Sequence, residues 1–159
     1  MFIVEINIPG RDVIKIKNLL LDYNGTIACD GKLIPSVKEK IEAVHEKGIR
    51  VQVVTADTHG TVSNQCANMP IEIQIFDNSN AADHKREIVE KLGAEQCICI
   101  GNGFNDGQMF EACSIAIIVV GEEGCSAKSL MNADIVCKSI EDAFDLILKP
   151  SRIIATLRG

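Results

Sequence analysis

The fold is decided by the stretch Leu19-Leu20-Leu21-Asp22-Tyr23-Asn24-Gly25-Thr26. Its three consecutive leucines predict a strand that is buried on both faces. A carboxylate at the end of such a strand is costly unless something pairs with it, and a metal ion or a phosphate site would supply that pairing. Asp22 is therefore a candidate nucleophile, and the alternative is a solvated aspartate in an ordinary turn.

The composition is that of an ordinary globular protein. The chain has 159 residues, of which 47% are hydrophobic and 24% charged, and this length suits a single domain over residues 1–159. The net charge of −6 argues against nucleic acids and anionic membrane surfaces as partners. No apolar stretch is long enough to span a membrane. The seven cysteines form no Cys-x-x-Cys pair, and such scattered thiols indicate a reducing cytoplasm.

Strands and helices alternate after an N-terminal hairpin that is predicted over residues 1–16. Strands are predicted to end at Asp22 and to cover residues 51–54, 71–76, 97–100, 115–120 and 135–137. Helices are predicted over residues 36–48, 80–92 and 126–133. Two more are predicted, one that ends near residue 113 and one that begins at residue 139. Ser36 to Glu39 has the sequence of a capping box, and Asp30-Gly31 signals a tight turn.

This alternation predicts an α/β fold with a parallel sheet covered by helices on both faces. Ligands of such sheets bind at the carboxyl ends of the strands, where Asp22, Thr55 and residues 102–106 fall. Cys97 and Cys99 lie two residues apart on one strand and so share a face. We interpret them as buried packing residues, although a metal or redox pair is the alternative.

The three polar clusters together have the groups that phosphoryl transfer needs, namely a nucleophile, a cation site and phosphate donors. Asp22 can attack phosphorus, and the Gly25 and Thr26 amides can face a phosphate oxygen. Further donors and metal partners are predicted at Thr55, Lys85, Asn102, Asn105 and Asp106. Each has an ordinary alternative: a strand-end cap for Thr55, a solvated helix face for Lys85, and a plain glycine-rich turn for residues 101–106.

The chain resembles a haloacid dehalogenase (HAD) superfamily hydrolase over nearly its whole length after residue 16. Residues 22–26 match the first motif of that family, Val54-Thr55 the second, Lys85 the third and residues 101–106 the fourth. Residues 85–106 also resemble the phosphorylation domain of P-type ATPases, and the chain is most similar to the group of soluble P-type ATPase-like proteins.

The resemblance implies a Rossmann-like sheet, Mg²⁺ dependence and an aspartyl-phosphate intermediate. It also implies that the substrate is a small phosphorylated molecule or a nucleotide. It implies catalytic roles for Asp22, Asn24, Thr55 and Lys85. Phosphate binding is implied for Gly25, Thr26, Thr55, Ala56, Lys85 and Asn105. Metal binding is implied for Asp22, Asn24, Asn102 and Asp106.

Two residues depart from the family pattern. Asn24 stands where HAD phosphatases usually carry an aspartate that protonates the leaving group and then activates water, and losing such a group typically costs about 10²–10⁴-fold in rate. Asn102 stands where an aspartate usually binds Mg²⁺, which predicts weaker metal binding. Both departures predict a slow enzyme, or one restricted to acyl phosphates, aryl phosphates and nucleoside triphosphates, whose leaving groups need little protonation.

Three functions therefore stay open from the sequence. They are a Mg²⁺-dependent phosphohydrolase that includes ATP among its candidate substrates, a phosphate- or nucleotide-binding module without turnover, and a switch that keeps a phosphoryl group on Asp22. No cap domain is predicted between Thr26 and Pro35 or between Thr55 and Lys85. The site would then be open, and we hypothesise that the edge of the N-terminal hairpin lets copies of the chain assemble over it.

Overall fold

The structure is a computed structural model that describes residues 4–56 and 61–159. Residues 1–3 of the predicted hairpin lie outside the described residues. The described strands are β1 (Val4–Ile6), β2 (Ile14–Ile16), β3 (Asn18–Asp22), β4 (Ala28–Cys29), β5 (Lys32–Leu33), β6 (Arg50–Thr55), β7 (Ile71–Ile75), β8 (Cys97–Gly101), β9 (Ile115–Val119) and β10 (Ile135–Cys137).

The described helices are short, and three 3₁₀ turns lie between them at Asn78–Asn80, Ala94–Gln96 and Phe104–Asp106. None of these helices is both long and apolar enough to cross a bilayer. They are α1 (Val37–Glu46), α2 (Thr61–Gln65), α3 (Ala81–Leu92), α4 (Gly107–Ala112), α5 (Ala127–Leu130), α6 (Ile140–Leu148) and α7 (Ser151–Leu157).

The central sheet has six parallel strands in the order β10-β9-β8-β3-β6-β7. The chain leaves β3 towards β6 and β7 on one side and then returns to β8 on the other side. A reversal of this kind opens a crevice at the carboxyl ends of the strands. The predicted Rossmann-like α/β sheet is therefore confirmed, and the antiparallel pair β1–β2 confirms the N-terminal hairpin.

Alternating side chains of β3 fill the core on both faces of the sheet. Leu19 and Leu21 pack on the face covered by α1, α6 and α7, whereas Leu20 packs on the face covered by α3 and α4. Cys97 and Cys99 join the Leu20 side as buried free thiols, as the packing interpretation predicted. Burial on both faces explains why these strands are nearly uniformly apolar.

Local details differ from the sequence-based expectation at two places. Ser36 makes no capping bond, and its backbone is helical (φ −70°, ψ −16°) instead of having the extended conformation of a cap. Its hydroxyl donates to Glu141 Oε1 at 2.6 Å and so joins α1 to α6. The final helical segment is divided into α6 and α7 at Pro150, whose ring cannot continue a helix interior. Between β3 and α1 the structure has only the hairpin β4–β5, and its turn residues Asp30 and Gly31 both have positive φ, as predicted.

Candidate active site

The predicted site residues lie at the carboxyl edge of the three central strands. Asp22 is the last residue of β3, Thr55 the last of β6 and Gly101 the last of β8. Because β3 runs between β6 and β8, the loops after these strands meet beside Asp22. Lys85 reaches the same place from the first turns of α3.

The Lys85 ammonium group is the centre of the cluster. It donates to Asp22 Oδ1 at 2.7 Å, to Asp106 Oδ1 at 2.7 Å and to Asn105 Oδ1 at 2.9 Å. These bonds use all three of its hydrogens. The side chain is fully buried, so the alternative of a solvated helix face is wrong for Lys85. A phosphate could bind the ammonium group only by replacing one of the three acceptors.

Asp106 is fully buried, and protein donors hold both of its oxygens. Oδ1 accepts from Lys85, and Oδ2 accepts from the backbone amides of Asn102 at 3.1 Å and Gly103 at 2.9 Å. Gly101 makes room for this carboxylate, because a Cβ atom at Gly101 would collide with Asp106 Oδ2. Asp106 therefore fixes the loop that carries Asn102.

Two further oxygens of the site, one of Asp22 and one of Asn102, have fewer donors than those of Asp106. The Thr26 hydroxyl lies 3.1 Å from Asp22 Oδ2 and 3.2 Å from Asn102 Oδ1, although it has one hydrogen for the two acceptors. The Asn102 amide is oriented by its own Nδ2, which donates to the Gly124 carbonyl oxygen at 3.2 Å. Gly25 has φ +80°, and a Cβ there would collide with Asn102 Nδ2, so glycine is required at this position.

The charges of the cluster shift the pKa values of its members. Burial raises the pKa of Asp22 to about 6, the negative charge of Asp106 adds to this rise, and Lys85 opposes it. Burial alone would lower the pKa of Lys85, but the two carboxylates outweigh it and raise that pKa. With two carboxylates and one ammonium group, the cluster favours an additional positive charge near Asp22.

A cavity of about 500 Å³ opens on the outward side of the cluster. Its walls are formed by Asp22, Asn24, Thr55, Ala56, Asn78, Lys85, Asn102, Gly103, Phe104 and Asn105. A larger groove of about 740 Å³ lies beside the hairpin β4–β5, and Gly25 and Thr26 line that groove instead. The smaller cavity is the one that reaches the candidate nucleophile.

The predicted role of two backbone amides differs from the arrangement in the structure. The Gly25 amide donates to the Ala28 carbonyl oxygen at 2.9 Å, and the Thr26 amide donates to the Tyr23 carbonyl oxygen at 3.2 Å. Both amides are thus used within the loop, which closes on itself before the hairpin begins. Phosphate binding by these two amides would require the loop to open.

Sequence reasoning did not anticipate Asn78, Phe104 and α5 near the site. Asn78 and Phe104 line the cavity, while Ser129 of α5 donates to the Gly103 carbonyl oxygen at 2.8 Å. The position of Phe104 inside the glycine-rich stretch could have indicated its exposure at a turn. Asn78 and Ser129 are separated from the motifs in sequence, and no pattern marked them.

The donor set fits a small hard cation. Asp22 Oδ2 and Asn102 Oδ1 share a single hydroxyl donor, and oxygen atoms short of donors are what Mg²⁺ binds. The residues that would hold the ion are Asp22 and Asn102, with the Asn24 backbone carbonyl as predicted. Asp106 would contribute through the Asn102 loop, because its own oxygens are held by protein donors.

Comparison with known proteins shows the family to which the chain belongs. Residues 4–114 match the family model of haloacid dehalogenase-like hydrolases. The chain belongs to this family. The superfamily resemblance predicted from the four motifs is therefore confirmed, and so is the general class of hydrolase.

Two relatives come from Methanocaldococcus jannaschii. An uncharacterised protein is 41% identical over 78 residues, which are 46% of this chain and 84% of that protein. A soluble P-type ATPase-like phosphatase is 25% identical over 126 residues, which are 78% of this chain. The matched part is only 46% of that second protein, so the chain spans less than half of its length.

Solved structures of phosphatases share the fold. The 3-deoxy-D-manno-octulosonate 8-phosphate phosphatase of Moraxella catarrhalis, in complex with magnesium, phosphate and KDO, has a TM-score of 0.70 and 18% identity, covering 90% of this chain and 94% of its own. The cobalt-bound form of the Haemophilus influenzae deoxy-D-mannose-octulosonate 8-phosphate phosphatase has a TM-score of 0.71 and 16% identity, covering 91% of this chain and 94% of its own. At these identities, the similarity shows the fold alone.

Proposed function

We propose that this protein is a Mg²⁺-dependent phosphohydrolase that works through an aspartyl-phosphate on Asp22. One observation carries the proposal: Lys85 holds Asp22 Oδ1, whereas Asp22 Oδ2 and Asn102 Oδ1 share the single hydroxyl hydrogen of Thr26, and Asp22 and Asn102 both line the cavity. The carboxylate is thus fixed in orientation and has one oxygen available. Bound Mg²⁺ would neutralise negative charge on the phosphate oxygens.

The reaction has two steps at phosphorus. In the first, a carboxylate oxygen of Asp22 forms a bond to phosphorus, and the bond from phosphorus to the leaving group breaks with its electron pair. In the second, a water oxygen attacks phosphorus, the bond to Asp22 breaks, and the water proton passes to phosphate or solvent. Thr55 and Lys85 are proposed to hold the transferred phosphoryl group, with Asn105 and Ala56 beside them.

The presence of asparagine at position 24 leads us to expect slow attack of water on the phosphorylated Asp22. It lines the cavity, and Asp22 is the single carboxylate among the described residues that form the cavity wall. The described wall therefore offers no second carboxylate to activate water or protonate a leaving group. We expect substrates with acidic leaving groups, such as acyl phosphates, aryl phosphates or nucleoside triphosphates.

The same observation favours a second candidate function. If water attack is slow enough, Asp22 would stay phosphorylated and the protein would act as a switch.

Assembly through the N-terminal hairpin and a cytoplasmic location stay predictions from the sequence.

Phosphate release tests the proposal. With Mg²⁺ present, the protein should release phosphate steadily from para-nitrophenyl phosphate or ATP, and Asp22→Asn should abolish this release. A single burst that stops after one equivalent would favour the switch. Release that persists undiminished in Asp22→Asn would exclude Asp22 as the nucleophile.

A further inference from the structure

The cavity has an exposed aromatic side chain at its mouth. Phe104 lines the cavity and is 70% exposed, although it lies within the fourth motif only two residues before Asp106. Single exposed apolar residues are common on protein surfaces. Met131 is an example, because it is 83% exposed and does not line this cavity. Phe104 differs from it in sharing a wall with the candidate nucleophile.

The position of Phe104 is fixed by α5. Ser129 is buried, and its hydroxyl lies 2.8 Å from the Gly103 carbonyl oxygen and 3.3 Å from that of Phe104. The Ser126 amide donates to the Asn102 carbonyl oxygen at 2.8 Å. The backbone that carries the ring is thus tied to the loop of the site, and the ring is presented from a rigid base.

A cation accompanies the ring. Lys128 Nζ lies over the Phe104 ring, 5.9 Å from its centroid, a distance at which an ammonium group is attracted to an aromatic face. Within the described residues, Lys128 makes no salt bridge with a carboxylate. Its charge is therefore available to a ligand that binds beside the ring.

We propose that Phe104, in the wall of this cavity, and Lys128, over the Phe104 ring, form a leaving-group subsite beside it, and that the site selects substrates whose leaving group is a planar aromatic ring bearing negative charge. The inference rests on the proposed function, since it needs the phosphoryl group to bind at Asp22. An aromatic group stacks on Phe104, and its anionic substituent meets Lys128. Aryl phosphates that carry an acidic substituent on the ring have this chemistry.

Binding of phosphonates tests the subsite without requiring turnover. Phenylphosphonate and methylphosphonate present the same anionic group and differ in the aromatic ring. With Mg²⁺ present, calorimetry should give a dissociation constant about 3- to 10-fold lower for phenylphosphonate. Phe104→Ala should bring the ratio of the two constants to within about twofold of one, whereas Met131→Ala should leave the ratio as in the parent protein.

The charge is tested with 3-phosphonobenzoate. Its carboxylate should strengthen binding relative to phenylphosphonate by about 2- to 5-fold, and this gain should vanish in Lys128→Gln. The inference is overturned if the parent protein does not discriminate between phenyl- and methylphosphonate, if neither binds, or if Phe104→Ala keeps the discrimination. Phosphonate discrimination without phosphate release from any substrate would instead contradict the proposed hydrolysis and leave the subsite standing.

Discussion

The candidate site has two halves that are built from similar groups and differ in how these groups are satisfied. The inner half consists of Lys85, Asn105 and Asp106, and the outer half consists of Asp22, Asn24, Thr26 and Asn102. Every oxygen of Asp106 accepts from a protein donor, whereas Asp22 Oδ2 and Asn102 Oδ1 compete for one hydroxyl hydrogen. A protein can thus hold two carboxylates in one cluster and keep only one of them for chemistry.

The difference assigns separate tasks to the halves. A fully paired, buried carboxylate stabilises the loop around it, while a carboxylate with fewer donors is suited to bind a cation or attack phosphorus. Asp106 should therefore respond to mutation mainly in stability and the outer half mainly in binding and turnover. Lys85, which is also proposed to hold the phosphoryl group, should respond in both.

Removal of the charge on Lys85 should have the largest effect on stability. Lys85→Met leaves two buried carboxylates without their shared cation, so we expect the free energy of unfolding to fall by about 3–5 kcal/mol. Urea unfolding monitored by circular dichroism measures the change. Lys91→Met is the matched control on the exposed side of the same helix and should change stability by about 0.5 kcal/mol or less. Equal effects for the two variants would contradict the division into halves.

Crowding the inner half should also be destabilising. In Gly101→Ala the new Cβ collides with Asp106 Oδ2, and we expect a loss of about 2–3 kcal/mol in the free energy of unfolding. In Gly103→Ala the Cβ would lie 3.5 Å from Asn105 Oδ1, which is an ordinary contact. That control should lose less than about 1 kcal/mol. If Gly101→Ala proved as stable as Gly103→Ala, the close fit of Asp106 would be wrong.

The pH dependence of the free energy of unfolding should reveal the raised pKa of Asp22. The pKa of Asp22 is about 6 in the folded protein and 3.8 in the reference state, so the folded protein binds more protons between these values. The free energy of unfolding contributed by Asp22 therefore falls as pH rises from about 4 to 6, by about 2 kcal/mol.

Asp22→Asn isolates this contribution from that of the other carboxylates. In chelator, the stability of the variant relative to the parent protein should increase over this pH range and then level off. Added Mg²⁺ should reduce the difference, because a cation favours the charged carboxylate. A difference that is flat with pH would show that the outer half tolerates the charge of Asp22 without a cation.

Restoring a carboxylate in the outer half should accelerate turnover. Asn24→Asp supplies a group that can protonate the leaving group and activate water, and we expect at least about a tenfold gain on alkyl phosphates, equivalent to ~1.4 kcal/mol. Asn78→Asp adds a carboxylate to the same cavity at a position outside the motifs and should give no gain. Steady-state phosphate release measures both, and an Asn24→Asp variant no faster than the parent would contradict this account of Asn24.

The sequence predicted the framework of the site because apolar strands and motif residues are both local signals. The runs around Leu20 and Ile98 marked buried strands, and their carboxyl ends located Asp22 and the loop before Asp106. The buried state of Lys85 could not be predicted, since its neighbours on α3 are charged and its partners come from two other elements.

Contacts between distant segments could not be predicted from the sequence either. Ser36 has the pattern of a helix cap, but its backbone is helical and its hydroxyl donates to Glu141, 105 residues away. The Gly25 and Thr26 amides donate to carbonyl oxygens within their own loop. The sequence alone does not show whether such amides bind a phosphate or bond within the loop. The exposure of Phe104 at the cavity could not be predicted, because it depends on where α5 holds the backbone.

The decisive experiment locates the phosphorylated residue. The protein is incubated with acetyl phosphate and Mg²⁺ and quenched with borohydride, which reduces an aspartyl-phosphate to homoserine, and the peptides are then analysed by mass spectrometry. The account predicts homoserine at position 22 and nowhere else, with no conversion in Asp22→Asn. Phosphate release without conversion at position 22, or conversion at Asp106 instead, would contradict it.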